Sequence, residues 1–516
     1  MNRDLPSDQI RNSSIILLFL FAISNQSIYS QTGFYTLNGG SDTQTNQTFA
    51  ATQTDQSAVY VLNSGILTLN NCTITKTGDS SNVNNSSQYG INAGILANSS
   101  GVITINGGSV TTNTSGGNGL FATGSGSSIS MTEGSIDASG GNAHGVDVTY
   151  DGVITLTNVD VTTNGSSSSA IATDFGGGTV IVTGGTIIAS STDANSHSAR
   201  IYSTGNITVS NASVTSLGDC GGVIDGANSI TLTNTSLSGK LEGIKIWKTA
   251  PMSGTATVTI DGGSLQAVEG NAFYVIGETG NSASATLSVS NVTEINSGTG
   301  YIVKVITSST ATFTSDNSSL TGNFIADENS TLNINLQNGS SLTGNAQNSA
   351  INMDANCNWT VTANSMLTLL TNADGISGNS VTNITGNGNN VYYNASLPGN
   401  SYLNSQTYSL VNGGVLAPIG STGLNETGDI TTANWMLYQN YPNPFNPSTT
   451  IKYDLPVSSE VILAVFNING QEIKSLVRTV QPAGSYEVTF NGSNLSSGIY
   501  FYRLNAGSFL KLKRCY

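Results

Sequence analysis

The residues best suited to chemistry are the aspartates Asp147, Asp151, Asp174 and Asp225, which fall in one stretch with Arg200, Tyr150 and Tyr202 among them. Two carboxyls at a set separation hydrolyse glycosidic bonds. Six to eight oxygens gathered at one point hold calcium. A tyrosine ring can stack on a sugar. Asp147, Tyr150, Asp174, Arg200, Tyr202 and Asp225 are therefore the candidate ligand-binding set. Other chemistries are weaker. His144 and His197 are the only histidines and have no Cys or His partner at ligand spacing, so neither a zinc site nor a Ser-His-Asp triad is expected. The glycines of "GGG" (176–178) lack the lysine of a phosphate loop and read as turn residues. No catalytic residue, metal or cofactor is assigned.

The elements that would carry these residues repeat. "GVITINGGSVTT" (101–112) is a strand, a two-glycine pinch and a second strand. Aligned on Ile105, its equivalents are Leu69, Met131, Leu156, Val182, Val209, Leu232, Ile260, Val289, Phe313, Ile334 and Val361. Two residues before each sits another apolar side chain, Leu67 and Ile103 at the start and Trp359 at the end. Alternation of period two marks a strand with one buried face. Two residues after the anchor comes Asn71, Gly107, Asn158, Gly184, Asn211, Asn234, Gly262 or Asn291, types that tolerate left-handed backbone and so turn a corner. A second strand follows, and a third apolar piece such as "GLFA" (119–122), "GVDV" (145–148) or "GVID" (222–225) leads in to the next anchor. Three short strands per lap of about 25 residues is the pattern of a solenoid.

In "GVDV" the valines point inward, so Asp147 points out. Relative to their anchors Asp147, Asp151, Asp174 and Asp225 stand at −9, −5, −8 and −7, which is not a straight ladder, and solvated turn carboxylates are the expectation. One outward column is regular: Thr68, Thr104, Thr155, Thr208, Thr231, Thr259, Thr312 and Thr360, with Ser130 and Ser288. Threonine is a good strand former, and a flat threonine ladder also suits ice or crystalline carbohydrate.

Composition narrows the partners. Net charge is −15, and between Ser57 and Gly420 the only cations are Lys76, Arg200, Lys240, Lys245, Lys248 and Lys304. Nucleic acid, which needs clustered lysine and arginine, is excluded. Residues 1–30 carry Arg3 and Arg11, the apolar run "IILLFLFAI" and a small-residue site at Ser30, the layout of a signal peptide. Nine apolar residues cannot span a bilayer, and no transmembrane segment is expected. Cys72, Cys220 and Cys357 fall on laps on the order of 25 Å apart, beyond the ~7 Å reach of a disulfide. They read as small buried residues.

The solenoid resembles the right-handed parallel β-helix of the pectin-lyase-like superfamily, with about twelve coils. Enzymes of that superfamily hold Asp clusters for calcium with a basic residue, or paired Asp acids, on the outer face. No Asp-Asp pair, Gly-His-Gly or Arg-Ile-Lys of the polygalacturonase kind is present. After a linker at 418–435 the texture changes. "LYQNYPNPFNPSTTIKYDLP" (437–456), "VFNINGQEIKSLV" (465–477) and "PAGSYEVTFNGSNLSSGIYFYRL" (482–504) resemble the type A C-terminal sorting domain of the type IX secretion system. The motif is Asn440, Tyr441, Pro442, Asn443, Pro444, Phe445, Asn446 and Pro447, and the tail "FLKLKRCY" departs from the usual ending. The resemblance implies an Ig-like β-sandwich and the secretion machinery as partner. It also implies delivery to the outside of the cell and attachment at the outer membrane.

The expected organisation is signal peptide 1–30, N-terminal cap 31–56, parallel β-helix with its C-terminal cap 57–417, linker 418–435 and sorting domain 436–516. The expected function is a secreted or cell-surface, adhesin-like, non-enzymatic protein that contacts extracellular matrix, glycan or another surface ligand. The alternatives are a polysaccharide lyase or glycoside hydrolase on the β-helix, and ice binding through the threonine column.

Overall fold

The computed structural model describes residues 31–192, 201–248, 254–278 and 280–419, then 436–455, 459–481, 484–493, 495–496, 498–506 and 509–515. The segment 1–30, Arg200, His197 and linker residues 420–435 lie outside the described residues. The chain divides into two units, 1–419 and 420–516.

The first unit is a parallel β-solenoid of about 14 turns. In its first ladder the inward file runs Leu69, Ile105, Met131, Leu156, Val182, Val209, Leu232, Ile260 and Val289, each paired in register with the next. A second ladder stacks Ile74, Val110, Ile136, Val161, Ile187, Val214, Leu237 and Leu265. The third is built from the lead-in pieces and buries Leu120, Val146, Ile171, Ile201, Ile244 and Phe273. All three send their apolar side chains into one continuous core. The corners follow the expected rule. Asn71, Gly107, Asn158, Gly184, Asn211, Asn234, Gly262 and Asn291 all have φ between 48° and 70°, the left-handed region that glycine and asparagine enter at least cost.

The anchor file departs from expectation beyond Val289. Its partner is Ser315, and Phe313 pairs instead with Leu287, so the file slips by two residues. Ser315 is fully buried and donates to Ser340 Oγ at 3.2 Å, so a satisfied hydroxyl takes the inward place that an apolar pattern assigns to its neighbour. Phe313 remains in the core, edge-on to Phe273 and Phe324 at 6.0 and 5.2 Å. The last anchor also moves. Ile334 pairs with Ile351, whereas Trp359 pairs with Leu342 and Val361 with Gly344 in the second ladder. Trp359 is fully buried there, with its indole N–H on Gly344 O at 2.9 Å.

Polar side-chain pairs occupy both ends of the described stack. Residues 32–51 form a lap whose inward positions hold Asp42 and Gln44, opposite Leu67 and Leu69. Tyr35 Oη and Gln44 Nε2 both donate to Asp42 Oδ2, at 2.5 and 2.7 Å. Near 372–418 the stack ends in two short antiparallel pairs, 376–377 with 380–381 and 408–409 with 415–416. Buried Asn372 and Asn383 bind each other there through both amide groups.

The second unit has a three-stranded and a four-stranded antiparallel sheet, with Ile451, Tyr453, Leu463, Phe490, Tyr502 and Leu504 between them. All four cysteines are buried and free.

Candidate functional site

Alternation along the third ladder puts every second side chain outside the core. Its outward file reads Tyr60, Leu96, Phe121, Asp147, Ala172, Tyr202, Val223, Lys245, Tyr274 and Lys304 on successive laps. A neighbouring outward file pairs Asp225 with Trp247 and Trp247 with Ile276. Asp174 stands one residue past the paired Thr173 and Ser203, on that same file. The unequal anchor offsets come from turns of unequal length and from two adjacent outward files; Asp147, Asp174 and Asp225 share one sheet face, and Asp151 stands in the turn after the Asp147 strand.

A helix covers part of that face. Helix α1, Val83–Tyr89, starts at Asn82, whose side chain accepts from the Asn84 and Asn85 N–H groups. It ends at Gly90, with φ 68° and the Gly90 N–H on Ser86 O. A Cβ on Gly90 would lie 2.3 Å from the Phe121 ring, so glycine is required both for the turn and for the close approach. Thr149 Oγ1 donates to Gln88 O at 3.1 Å, tying the helix to the sheet. Tyr150, expected to offer its ring to a sugar, stacks on Tyr89 at 6.4 Å and 16° and shares its hydroxyl with Gln88.

Asp147 is not a solvated turn carboxylate. It lies within strand Val146–Thr149, is fully buried, and neither carboxyl oxygen has a hydrogen-bond partner among the described residues. Burial pushes its pKa well above 3.8, with Asp174 adding repulsion; the Val148 N–H opposes this weakly, from outside hydrogen-bonding geometry. Asp174 is pushed up to about 6, by burial first and by the charge of Asp225, against the Phe175 N–H that its Oδ1 accepts at 3.0 Å. Burial and then the charges of Asp174, Asp225 and Asp147 raise the Tyr202 phenol.

His144, which sequence spacing left without partners, joins this group: its ring nitrogen and the carboxyls of Asp147 and Asp174 lie within 4.8 Å of one another. Its Nδ1 accepts the Ser169 N–H at 2.9 Å, so the neutral ring carries its proton on Nε2. Burial holds its pKa down at about 4. An imidazole in that tautomer has no free lone pair for zinc. Two carboxylates fall short of the oxygen shell calcium takes. The group fits a neutral imidazole beside a protonated carboxyl better than a metal centre. The remaining candidate, Arg200, lies outside the described residues.

The threonine column is regular only in part. Thr68, Thr104, Ser130 and Thr155 lead to Ile181, which is 37% exposed, before Thr208, Thr231, Thr259 and Ser288 resume. Thr312 pairs with Thr286 on the adjacent file, and Thr360 with Thr343 in the second ladder. Near Tyr150, a shallow polar depression of about 260 Å³ is lined by Asp151, Gly176, Gly177, Thr204, Asn206 and Asn228.

In the second unit, the Asn-Pro motif is anchored at its first residue. Asn440 is buried; its N–H donates to Tyr502 Oη at 2.8 Å, and its Nδ2 to Thr449 Oγ1 at 3.0 Å. Phe445 packs on Phe490, ring centres 5.6 Å apart, while Tyr441 is 82% exposed. Residues 439–515 match the secretion system C-terminal sorting domain. That domain marks the chain for type IX secretion and for attachment at the cell surface, with the secretion machinery as its partner. No curated protein matches the chain. No helix among the described residues is long and apolar enough to cross a membrane.

The clue missed in the sequence was the file formed by the lead-in pieces. Laying "GLFA" over "GVDV" puts Phe121 and Asp147 in one column, but "GVID" must be shifted by one residue to bring Val223 into it, after which the column extends to Lys245 and Tyr274. His144 had a weaker signal: Asp147 is three residues along the same lap, but Ser169 and Asp174 come from the next one.

Proposed function

We propose that the solenoid is a non-enzymatic contact surface, displayed outside the cell to bind extracellular matrix or glycan through the outer face of its third ladder. One observation carries this reading. Side chains that break the serine, threonine and asparagine monotony, among them Tyr202, Lys245, Trp247, Tyr274 and Lys304, share a single sheet face on successive laps. Solenoids commonly use such extended faces to bind. Asp147, the acid most changed by its surroundings, is closed to any substrate. A glycan array probed with the full chain tests the reading; absence of binding to every glycan, together with no adhesion to matrix-coated surfaces, refutes it.

A second reading, polysaccharide cleavage, draws support from Asp174, which is only partly buried, holds its proton up to about pH 6 and shares a file with Asp225. A carboxyl poised near neutrality suits a general acid. Glycan turnover by the native chain that is lost in Asp174→Ala would establish this reading over the first. The ice-binding alternative is the weakest, since Ile181 interrupts the threonine column; a lack of thermal hysteresis would end it.

A further inference from the structure

Four of the six cations between Ser57 and Gly420 are Lys240, Lys245, Lys248 and Lys304. Lys245, Tyr274 and Lys304 stand on three successive laps of the outward file, and Trp247 lies beside Lys245 on the same strand. At ~4.8 Å per lap, Lys245 and Lys304 are rooted roughly 10 Å apart, the scale of two sugar rings in an extended chain. The ammonium groups are held by rings: Lys245 Nζ lies 4.2 Å from the Trp247 ring centre, and Lys304 Nζ 5.9 Å from that of Tyr274. Cation–π contact fixes direction without neutralising charge.

None of these lysines makes an ion pair among the described residues. Glu242 feels the charge of both Lys245 and Lys304. Its carboxylate is engaged by the Asn271 N–H and by Asn271 Nδ2 at 3.0 Å. In a chain of net charge −15, unpaired lysines gathered on one aromatic face are a departure that charge complementarity explains. We infer that Lys245, Trp247, Tyr274 and Lys304 form a binding surface for an acidic polysaccharide, its anionic groups on the two ammoniums and its rings against the aromatic side chains. This rests on the glycan-contact reading and adds the ligand's charge and place.

The test is binding of the full chain to three polymers: alginate, which supplies carboxylates; dextran sulfate, which supplies sulfates; and neutral dextran. Alginate, dextran sulfate or both bind, and dextran does not; the polymer preferred identifies the anionic group. The double variant Lys245→Gln/Lys304→Gln loses at least tenfold in affinity with an unchanged circular dichroism spectrum. Lys245→Arg/Lys304→Arg retains binding, and Lys511→Gln/Lys513→Gln, the same charge change in the sorting domain, has no effect. Equal binding of dextran, or an unaffected Lys245→Gln/Lys304→Gln variant, overturns the inference while leaving glycan contact elsewhere intact. Failure of every polymer removes the inference, and failure of every arrayed glycan together with matrix adhesion removes the contact reading as well.

Discussion

Replacing Asp147 by asparagine is expected to stabilise the solenoid at neutral pH. The folded chain holds the proton of this buried carboxyl to a pH well above the 3.8 at which the unfolded chain releases it. Above that pH the unfolded state binds fewer protons, so stability falls as pH rises, until the raised folded pKa is reached. The slope is about 1.4 kcal/mol per pH unit. From pH 4 to pH 7 this amounts to at most about 4 kcal/mol. The substituted asparagine fills nearly the same volume and cannot ionise. Its amide is no better satisfied than the carboxyl it replaces, so at pH 4 the two chains agree to within about 1 kcal/mol. The difference between Asp147→Asn and the native chain then opens above pH 4 in favour of the variant and levels off once the raised folded pKa is passed. Urea midpoints of the full chain at pH 4, 5, 6 and 7, followed by circular dichroism, measure it; comparing the two chains cancels the titrations not coupled to Asp147. A variant less stable at pH 7, or a difference that does not change with pH, refutes the assignment of a protonated carboxyl. Calcium that stabilises the native chain but not the variant would likewise refute it, because the carboxyl would then be an ionised ligand.

Other expectations follow from the same geometry. Gly90→Ala forces a left-handed alanine against the Phe121 ring, costs about 2 kcal/mol or more, and speeds amide exchange in Val83–Tyr89 and Val146–Thr149; unchanged exchange would contradict the helix's covering role. Leu156→Ala, at the centre of the fully buried anchor file, lowers stability by about 2–5 kcal/mol, read from its urea midpoint. Tyr502→Phe strips the hydroxyl that accepts the Asn440 N–H and donates to Tyr438 O at 2.8 Å. It destabilises the sorting domain by about 1–3 kcal/mol and reduces the fraction of chain found at the cell surface, measured by protease shaving.

The laps, their corners and the sorting domain could be read from the linear chain because each depends on neighbours a few residues apart. Alternation sends Leu67 and Leu69 to the same side of a strand, and Asn71 turns the corner with its own backbone. Where a polar residue took an inward place the pattern failed. Ser315 is silent in an apolar alignment, and only its hydroxyl contact with Ser340, a lap away, makes the inward position tenable.

The candidate site depended on contacts of that longer kind. Sequence named Asp147, Asp174, Tyr202 and Asp225, since acids and aromatics stand out in so plain a chain, but their environment is made by other laps. Asp147 is sealed by a helix more than fifty residues earlier, and His144 takes its tautomer from Ser169. Lys245, Tyr274 and Lys304, roughly thirty residues apart in sequence, become neighbours only because each lap is laid on the last. Inside-or-outside is a local property of a strand with period two. Burial, protonation and shared faces are properties of the stack, set by loops of unequal length that no local rule measures.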